Sequence, residues 1–464
     1  MKRIISAFVA TVMLAVGCLC VSAEENIVNT TLNGLFQNEN GKILFDDDFL
    51  KNVGTTSSDW YVIALRINNI DAEYEKYLDA LTVYVSEKYE TENRLHKVKA
   101  TEWHRIALAV EACGGNAENF NGINLIADGI YNFDLDKQGI NAYIWALICL
   151  SADDYKTPSD ALNTKENIID EILLYQLYDG GFALSGDVGD VDVTANVITA
   201  LAPYKDDEKV SEAVDRAVSF LKSKKLPDSG FESYGVKNCE SACQALVAFY
   251  AVGEDTEGIA ENVFSFKTQD GFSHLADGET SYLATQQAIL ALGAVNKNRY
   301  VYDFSEVETI IKNEVSQYDR ERIQGFSENV NAVDVPTIKR LLQTVEEINP
   351  DDATELKDVL NNALSEAYYI KRRIDSINVE ISKISRKGLK VSHRETIEEL
   401  FDKCEDLSEE DMKLVTEYDE LLKLDAEMDS LLRRDMIFNI VFICLVGCLT
   451  YFRSKRRKQR EQDM

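Results

Sequence analysis

The residues best placed to do chemistry stand in one short stretch, Gly181 to Tyr204, where a Gly- and Asp-rich turn in "GFALSGDVGDVDVTANVITALAPY" breaks into an apolar helix. Asp190 and Asp192 bracket that junction. Two carboxylates there admit two readings: a general acid supported by its neighbour, or a helix cap in which Asp accepts backbone N–H groups. Set across a cleft from Glu240 or Glu102, Asp190 or Asp192 would also have the residue type of an acid and base for glycan cleavage, although no spacing requires it. Cys239 and Cys243, four residues apart, could face one metal, but without clustered His they read as two small core residues. No metal and no cofactor is expected.

What must position these residues is a repeat. A Ser, Thr or equivalent, then small and apolar residues closed seven positions on by Ala-Leu or similar, starts at Ser58, Thr101, Ile140, Thr194, Ser241 and Thr285, at separations of 43, 39, 54, 47 and 44 residues. Apolar on nearly every side, these segments suit helices enclosed on both faces. Between them, Ala72 to Glu87, Asn163 to Tyr175, Lys209 to Lys222, Gly258 to Lys267 and Ser305 to Val315 set charge opposite Leu, Ile, Val and Phe at three- and four-residue spacing. That is the pattern of an outer helix with one wet face. The outer helix of the second pair is expected around Phe120 to Asp128. The turns Asp179-Gly180-Gly181-Phe182, Asp228-Ser229-Gly230-Phe231 and Asp270-Gly271-Phe272 lead from outer to inner helices. In them Gly supplies positive φ, Asp accepts backbone hydrogen bonds and Phe plugs the space between pairs. The pattern predicts an all-α fold, an α6/α6 toroid of six inner and six outer helices.

"YQLYDGGF" with "VDVTANVITALAPY", and "KTQDGFSHL" with "TQQAILAL", resemble the repeats of the α/α-toroid superfamily of class II terpenoid cyclases, protein prenyltransferase β subunits, cobalamin carriers and complement thioester domains. The resemblance covers roughly Thr55 to Tyr302. It is greatest to bacterial cell-surface proteins with prenyltransferase or squalene-cyclase repeats. It implies the fold more than the chemistry. The cyclases protonate an alkene with the middle Asp of D-x-D-D-T-A; here Asp190, Asp192 and Thr194 match, but Val193 stands at the last Asp. The prenyltransferases bind zinc through Asp, Cys and a distant His; Cys239 and Ser241 fall near the expected places, but Lys237 replaces the carboxylate and Ala284 the His. The thioester pattern lacks its Gln after Cys113. His274 reads as a surface or capping residue. With each constellation missing a part, the resemblance implies a ring that recognises a ligand rather than transforms it. The alternative is an enzyme acting on isoprenoid lipid or on glycan.

Ligand contacts are expected from Trp60, Trp103, Tyr143, Trp145, Asp190 and Asp192, with Asp190, Asp192 and Glu240 the catalytic candidates should chemistry survive. Asp190 and Asp192 read first as cap and loop residues. They stay in view because helix N-termini gathered at one end of a ring concentrate backbone donors.

The ends of the chain bear on where the ring sits. Met1-Lys2-Arg3, the apolar run Ile4 to Leu19 and Val21-Ser22-Ala23 predict a signal peptide over 1–23; lipoprotein cleavage before Cys18 is the competing reading. Met436 to Phe452 is 17 residues without a charge, followed at once by six basic residues between Arg453 and Arg460. At ~1.5 Å per residue that just spans a hydrocarbon core, and the basic tail belongs in the cytoplasm. The expected organisation is a toroid over 24–315, a helical or coiled-coil stalk over 316–435, a transmembrane helix over 436–452 and a basic tail over 453–464. In the stalk, Val335 to Ile348 is one helix, and Asp351-Asp352 caps another running to about Ile384.

Composition sets the class of partner. The chain is 45% apolar and 28% charged, enough to bury a real core, and carries −31. Without the signal's two positive charges and the tail's net four, the exported part holds about −37, a surface that repels phosphate backbones and excludes nucleic acid. The five exported cysteines, Cys113, Cys149, Cys239, Cys243 and Cys404, form no disulfide framework. The partners left are the membrane, through one helix, and a small hydrophobic or corrinoid ligand or another surface protein. The expected location is the cell membrane, with the N-terminal domain extracellular.

Overall fold

The computed structural model describes residues 27–295, 299–310 and 314–462, so the expected signal peptide lies outside the described residues. They are mainly helical. Among the described residues the strands form two short hairpins, β1 Gln37–Glu39 with β2 Lys42–Leu44 and β3 Glu232–Ser233 with β4 Val236–Lys237, and the remaining pairing is isolated bridges such as Phe182 with Asp190. The chain divides into two compact units, Met1–Asn313 and Glu314–Met464.

Six helices of the first unit are buried on almost every side: α1 Thr56–Ile67, α3 Thr101–Ala112, α4 Ile140–Leu150, α6 Val191–Leu201, α8 Cys239–Ala251 and α10 Tyr282–Ala294. In α3 every residue from Trp103 to Ala112 is buried. Small residues such as Ala242, Ala245, Ala284 and Ala288 let these helices approach closely. α1 packs on α3, α3 on α4, α4 on α6, α6 on α8, α8 on α10, and α10 on α1. At that last contact Asn68 Nδ2 donates to the Ile289 carbonyl at 3.0 Å, and a Cβ on Gly293 would lie 2.4 Å from Asn68. One-faced helices cover the buried ones. α5 Lys165–Leu174 lies on α4, α7 Glu208–Lys224 on α6 and α9 Ile259–Phe264 on α8. α7 buries Val210, Ala213, Val214, Ala217 and Leu221, one face at helical spacing. α2 Tyr74–Glu92 reaches α1 through Tyr77, whose hydroxyl donates to Asp59.

Two expected outer helices are absent from the described residues. Residues 301–310 form turns, because Val301, Tyr302 and Phe304 are drawn into the core and the backbone donors of Phe304 and Ile310 go to the Ala152 and Gly114 carbonyls at 2.8 and 2.7 Å. Residues 311–313 are outside the description, and Val315 packs with the second unit. Around Phe120 to Asp128 the positive φ of Asn121 and Gly122 makes a turn, and a π-helical turn follows at Ala127–Tyr131. Gly129 is required there: a Cβ would fall 2.3 Å from Trp103 Cβ.

The Gly-Phe turns share one construction. Leu177, Leu226 and Thr268 each donate their N–H at 2.9 Å to the carbonyl of Gly181, Gly230 and Gly271, and Phe182, Phe231 and Phe272 are wholly buried. Gly180 holds φ +87°, whereas the equivalent position of the second turn is Ser229, at φ +63°. An L side chain there costs about 1 kcal/mol. Ser229→Gly is therefore expected to raise the unfolding midpoint of the first unit, as thermal circular dichroism would show.

In the second unit, α11 Gln317–Gly325, α12 Val335–Ile348, α13 Ala353–Lys387 and α14 Arg394–Glu405 precede α15 Tyr418–Gln462. α13 buries Leu360, Ala363, Ala367, Ile374, Ile377, Ile381 and Ile384, a stripe that packs on α12 and on the first turns of α15 through Leu421, Leu424 and Met428. Asp352 does not cap α13; its carboxylate takes the Arg320 guanidinium instead. α15 is long and apolar enough to cross a membrane, and no part of its apolar window is buried.

Candidate functional site

Three of the buried helices, α6, α8 and α10, begin alike. Asp190, Asn238 and Ser281 are their N-caps, each donating its own N–H to the carbonyl of Phe182, Phe231 or Phe272, at 2.8, 3.3 and 2.8 Å. These bonds set a common register in which Thr194 and Thr285 align with Ala242, so the fifth copy starts at Ala242, one residue later than the sequence pattern placed it. The Thr194 and Thr285 hydroxyls accept the N–H of Phe182 and Phe272 at 2.8 and 2.9 Å. Ser241, one residue early, makes no such bond.

Two residues past each cap stand Asp192, Glu240 and Leu283; six residues past stand Asn196, Gln244 and Gln287. All six face a cavity of about 340 Å³. Along α8 and α10 the lining recurs at i, i+3, i+4 and i+7, as 240, 243, 244 and 247 and as 283, 286, 287 and 290, the spacing of one helix face. The carboxylate layer is thus one turn, ~6 Å, from an amide layer, in which Gln244 Nε2 donates to Gln287 Oε1 at 3.1 Å. Trp60 of α1, Trp145 of α4 and Tyr302 supply aromatic lining. The Trp60 and Trp145 rings lie 5.0 Å apart, and Tyr302 is 6.5 and 6.1 Å from them.

The two aspartates have separate tasks. Asp190 Oδ1 accepts the N–H groups of Asp192 and Val193 at 2.9 and 3.0 Å, and Oδ2 accepts the Ser233 hydroxyl at 3.3 Å. It is a helix cap, and it is not among the residues lining the cavity. Asp192 lines it. Burial pushes its carboxyl up to about 6, with the Asp190 and Glu240 charges adding and the Ser241 and Ser233 hydroxyls opposing. Its Oδ1 and the Ser241 hydroxyl are buried, and neither makes a hydrogen bond of good geometry. Gln286 Oε1 is also buried without a partner, on a side chain 4% exposed. Glu240 Oε2 meets His274 Nδ1 at 2.7 Å, so His274 lies at the surface, as one of the two readings had it, and is the partner of a lining carboxylate.

Other candidates lie elsewhere. Trp103 is in the core, donating from Nε1 to the Tyr89 hydroxyl at 2.8 Å and packing on Phe133. Tyr143 donates to Asp136 at 2.7 Å. Glu102 accepts from Arg105 at 2.7 Å. Cys113, Cys149, Cys239, Cys243 and Cys404 are free and buried; Cys239 and Cys243 bring their sulfurs to 3.9 Å. Burial pushes the Cys243 thiol well above its ordinary value, so it is a poor nucleophile although it lines the cavity. Among the described residues no three His, Cys, Asp or Glu gather as a metal site.

Sequence reasoning missed Gln244, Gln286, Gln287 and Tyr302. An available signal was the recurrence of Asn196, Gln244 and Gln287 as amides within otherwise apolar helices. The chain matches no protein-family model and no curated protein.

Proposed function

We propose that this chain is an exported, single-pass membrane protein whose first unit is an α/α toroid used to hold a ligand. The toroid reading is supported by the run of helix contacts from α1 through α10 and back to α1, with α5, α7 and α9 laid outside. The membrane reading is supported by the exposed apolar stretch of α15 and by the basic residues that follow it. Export of the first unit rests on the N-terminal signal pattern and the positive-inside rule.

One observation carries the binding reading: a cavity of small-molecule size in which aromatic rings, carboxylates and amides converge, with Gln286 Oε1 buried and left without a partner. Native mass spectrometry of full-length protein from its own host is expected to find a bound small molecule, lost on Asn196→Trp, which would fill the cavity. A cavity empty in both proteins would sink the proposal. For topology, protease added to intact cells is expected to remove the chain up to about Asp435 and spare the tail.

A second reading, catalysis on an isoprenoid, draws support from the Asp192 carboxyl, pushed up to about 6 beside aromatic faces. Among the described residues the lining has no Lys or Arg to clamp a diphosphate, so the substrate would be an uncharged polyprenyl chain. Turnover of such a chain, abolished by Asp192→Asn, would establish this reading in place of the first.

A further inference from the structure

The cavity's unmet polar atoms have a common sign. Gln286 Oε1 and Asp192 Oδ1 are both acceptors and both buried; Gln286 Oε1 has no partner, and Asp192 has only the Ser241 and Ser233 hydroxyls beside it. Buried acceptors left unpaired cost free energy that a donor would recover. Glu240 lines the same wall, its Oε2 engaged by His274. Among the described residues no Lys, Arg or His lines the cavity, so even with His274 protonated the two carboxylates leave this lining negative. An anion would be repelled, and a neutral alcohol would gain only one donor.

The remaining lining selects for shape and polarity. Trp60, Trp145 and Tyr302 supply aromatic rings, and Val247, Leu283 and Leu290 are apolar. Aromatic faces attract cations as well as apolar groups.

We propose that the cavity takes a protonated primary amine on an aromatic or similarly compact apolar body, its N–H donors meeting Asp192, Glu240 and Gln286 and its apolar part lying against Trp60, Trp145 and Tyr302. This rests on the cavity being the binding site. It does not depend on whether the chain is a carrier, a receptor or an enzyme.

The test uses full-length protein and three probes of one size: 2-phenylethylammonium, uncharged 2-phenylethanol and anionic 3-phenylpropanoate. Two of the three tryptophans line the cavity, so tryptophan fluorescence reads occupancy. The amine is expected to bind about tenfold or more tightly than the alcohol, and the acid not at all. Asp192→Asn and Glu240→Gln should each weaken the amine about tenfold and change the alcohol by less than about twofold. Thermal unfolding of each variant confirms that it is folded; Trp60→Leu is a second variant that should weaken both amine and alcohol. The proposal is overturned if alcohol or acid binds as well as the amine, if neither carboxylate discriminates between the probes, or if no probe binds. In the first two cases the cavity stands as a binding site and only its charge preference fails. If no probe binds and native mass spectrometry also finds the cavity empty, the binding reading fails with it.

Discussion

Asp59→Ala is expected to cost about 3–5 kcal/mol, a large part of the stability of a domain of this kind. Asp59 is wholly buried in α1, and its carboxylate is surrounded by donors: Gly54 N at 2.9 Å, the Tyr77 hydroxyl at 2.5 Å and Arg105 Nε at 2.8 Å. Burial pushes the Asp59 carboxyl above its ordinary value, opposed by Arg105, Tyr77 and Gly54; with three donors and no acceptor around it, the group is read as ionised. Arg105 in turn donates to the Gly54 carbonyl and to Glu102, both at 2.7 Å. Burial opposes its charge, but Asp59 and Glu102 outweigh burial and hold the guanidinium above its ordinary pKa. Removing Asp59 leaves a guanidinium 5% exposed with only the partly exposed Glu102 to balance it. Denaturant unfolding of full-length protein, followed by circular dichroism, measures the loss. Asp59→Leu with Arg105→Met should cost much less than Asp59→Ala, since no unpaired charge remains. A double variant as unstable as the single one would assign the loss to packing.

Glu111→Gln is expected to stabilise the first unit by about 3 kcal/mol at pH 8, and by nothing measurable at pH 4. Burial pushes the Glu111 carboxyl up to about 7 from an ordinary 4.5, although Ala117 N and the Tyr155 hydroxyl both donate to its Oε1 at 2.8 Å. Below about 4.5 the group is protonated folded and unfolded, and it costs nothing. Between 4.5 and 7 the unfolded chain gives up its proton first, so stability falls as pH rises. Above 7 the full cost of the buried charge is present. Gln keeps the acceptor for both donors and removes the charge. Unfolding midpoints measured from pH 4 to 9 should therefore diverge between the two proteins on the alkaline side; parallel curves would mean that Glu111 ionises as readily in the fold as in water. Asp192, pushed up to about 6, adds a fall in the same direction through the lower part of that window.

Helices were legible wherever the signal is local. The stretches starting near Ser58, Thr101, Ile140, Thr194, Ser241 and Thr285 are helical because apolar residues at helical spacing follow cap residues or tight turns. Ser305 to Val315 has the same spacing and is not helical over its described part. There Tyr302 and Phe304 enter the core, and the backbone donors of Phe304 and Ile310 are satisfied by distant carbonyls. Periodicity reports what a helix would bury, not what else competes for the backbone. The one-residue shift at Ser241 has a related cause: a hydroxyl-bearing residue marks a helix start in sequence, but the bond from the cap to Phe231 sets the register.

The sequence by itself determined the mainly helical character, the Gly-Phe turns and the long apolar helix, because each follows from neighbours within about two helical turns. The tertiary structure alone decided the cavity. Asp190 and Asp192 are two residues apart, yet one caps α6 and the other lines one cavity with Glu240, Gln286, Trp60, Trp145 and Tyr302. These residues come from five helices and a loop across some 240 positions, and only packing brings their side chains together. That is why Trp60 lines the cavity and Trp103, on an equally apolar helix, is spent on Tyr89 and Phe133.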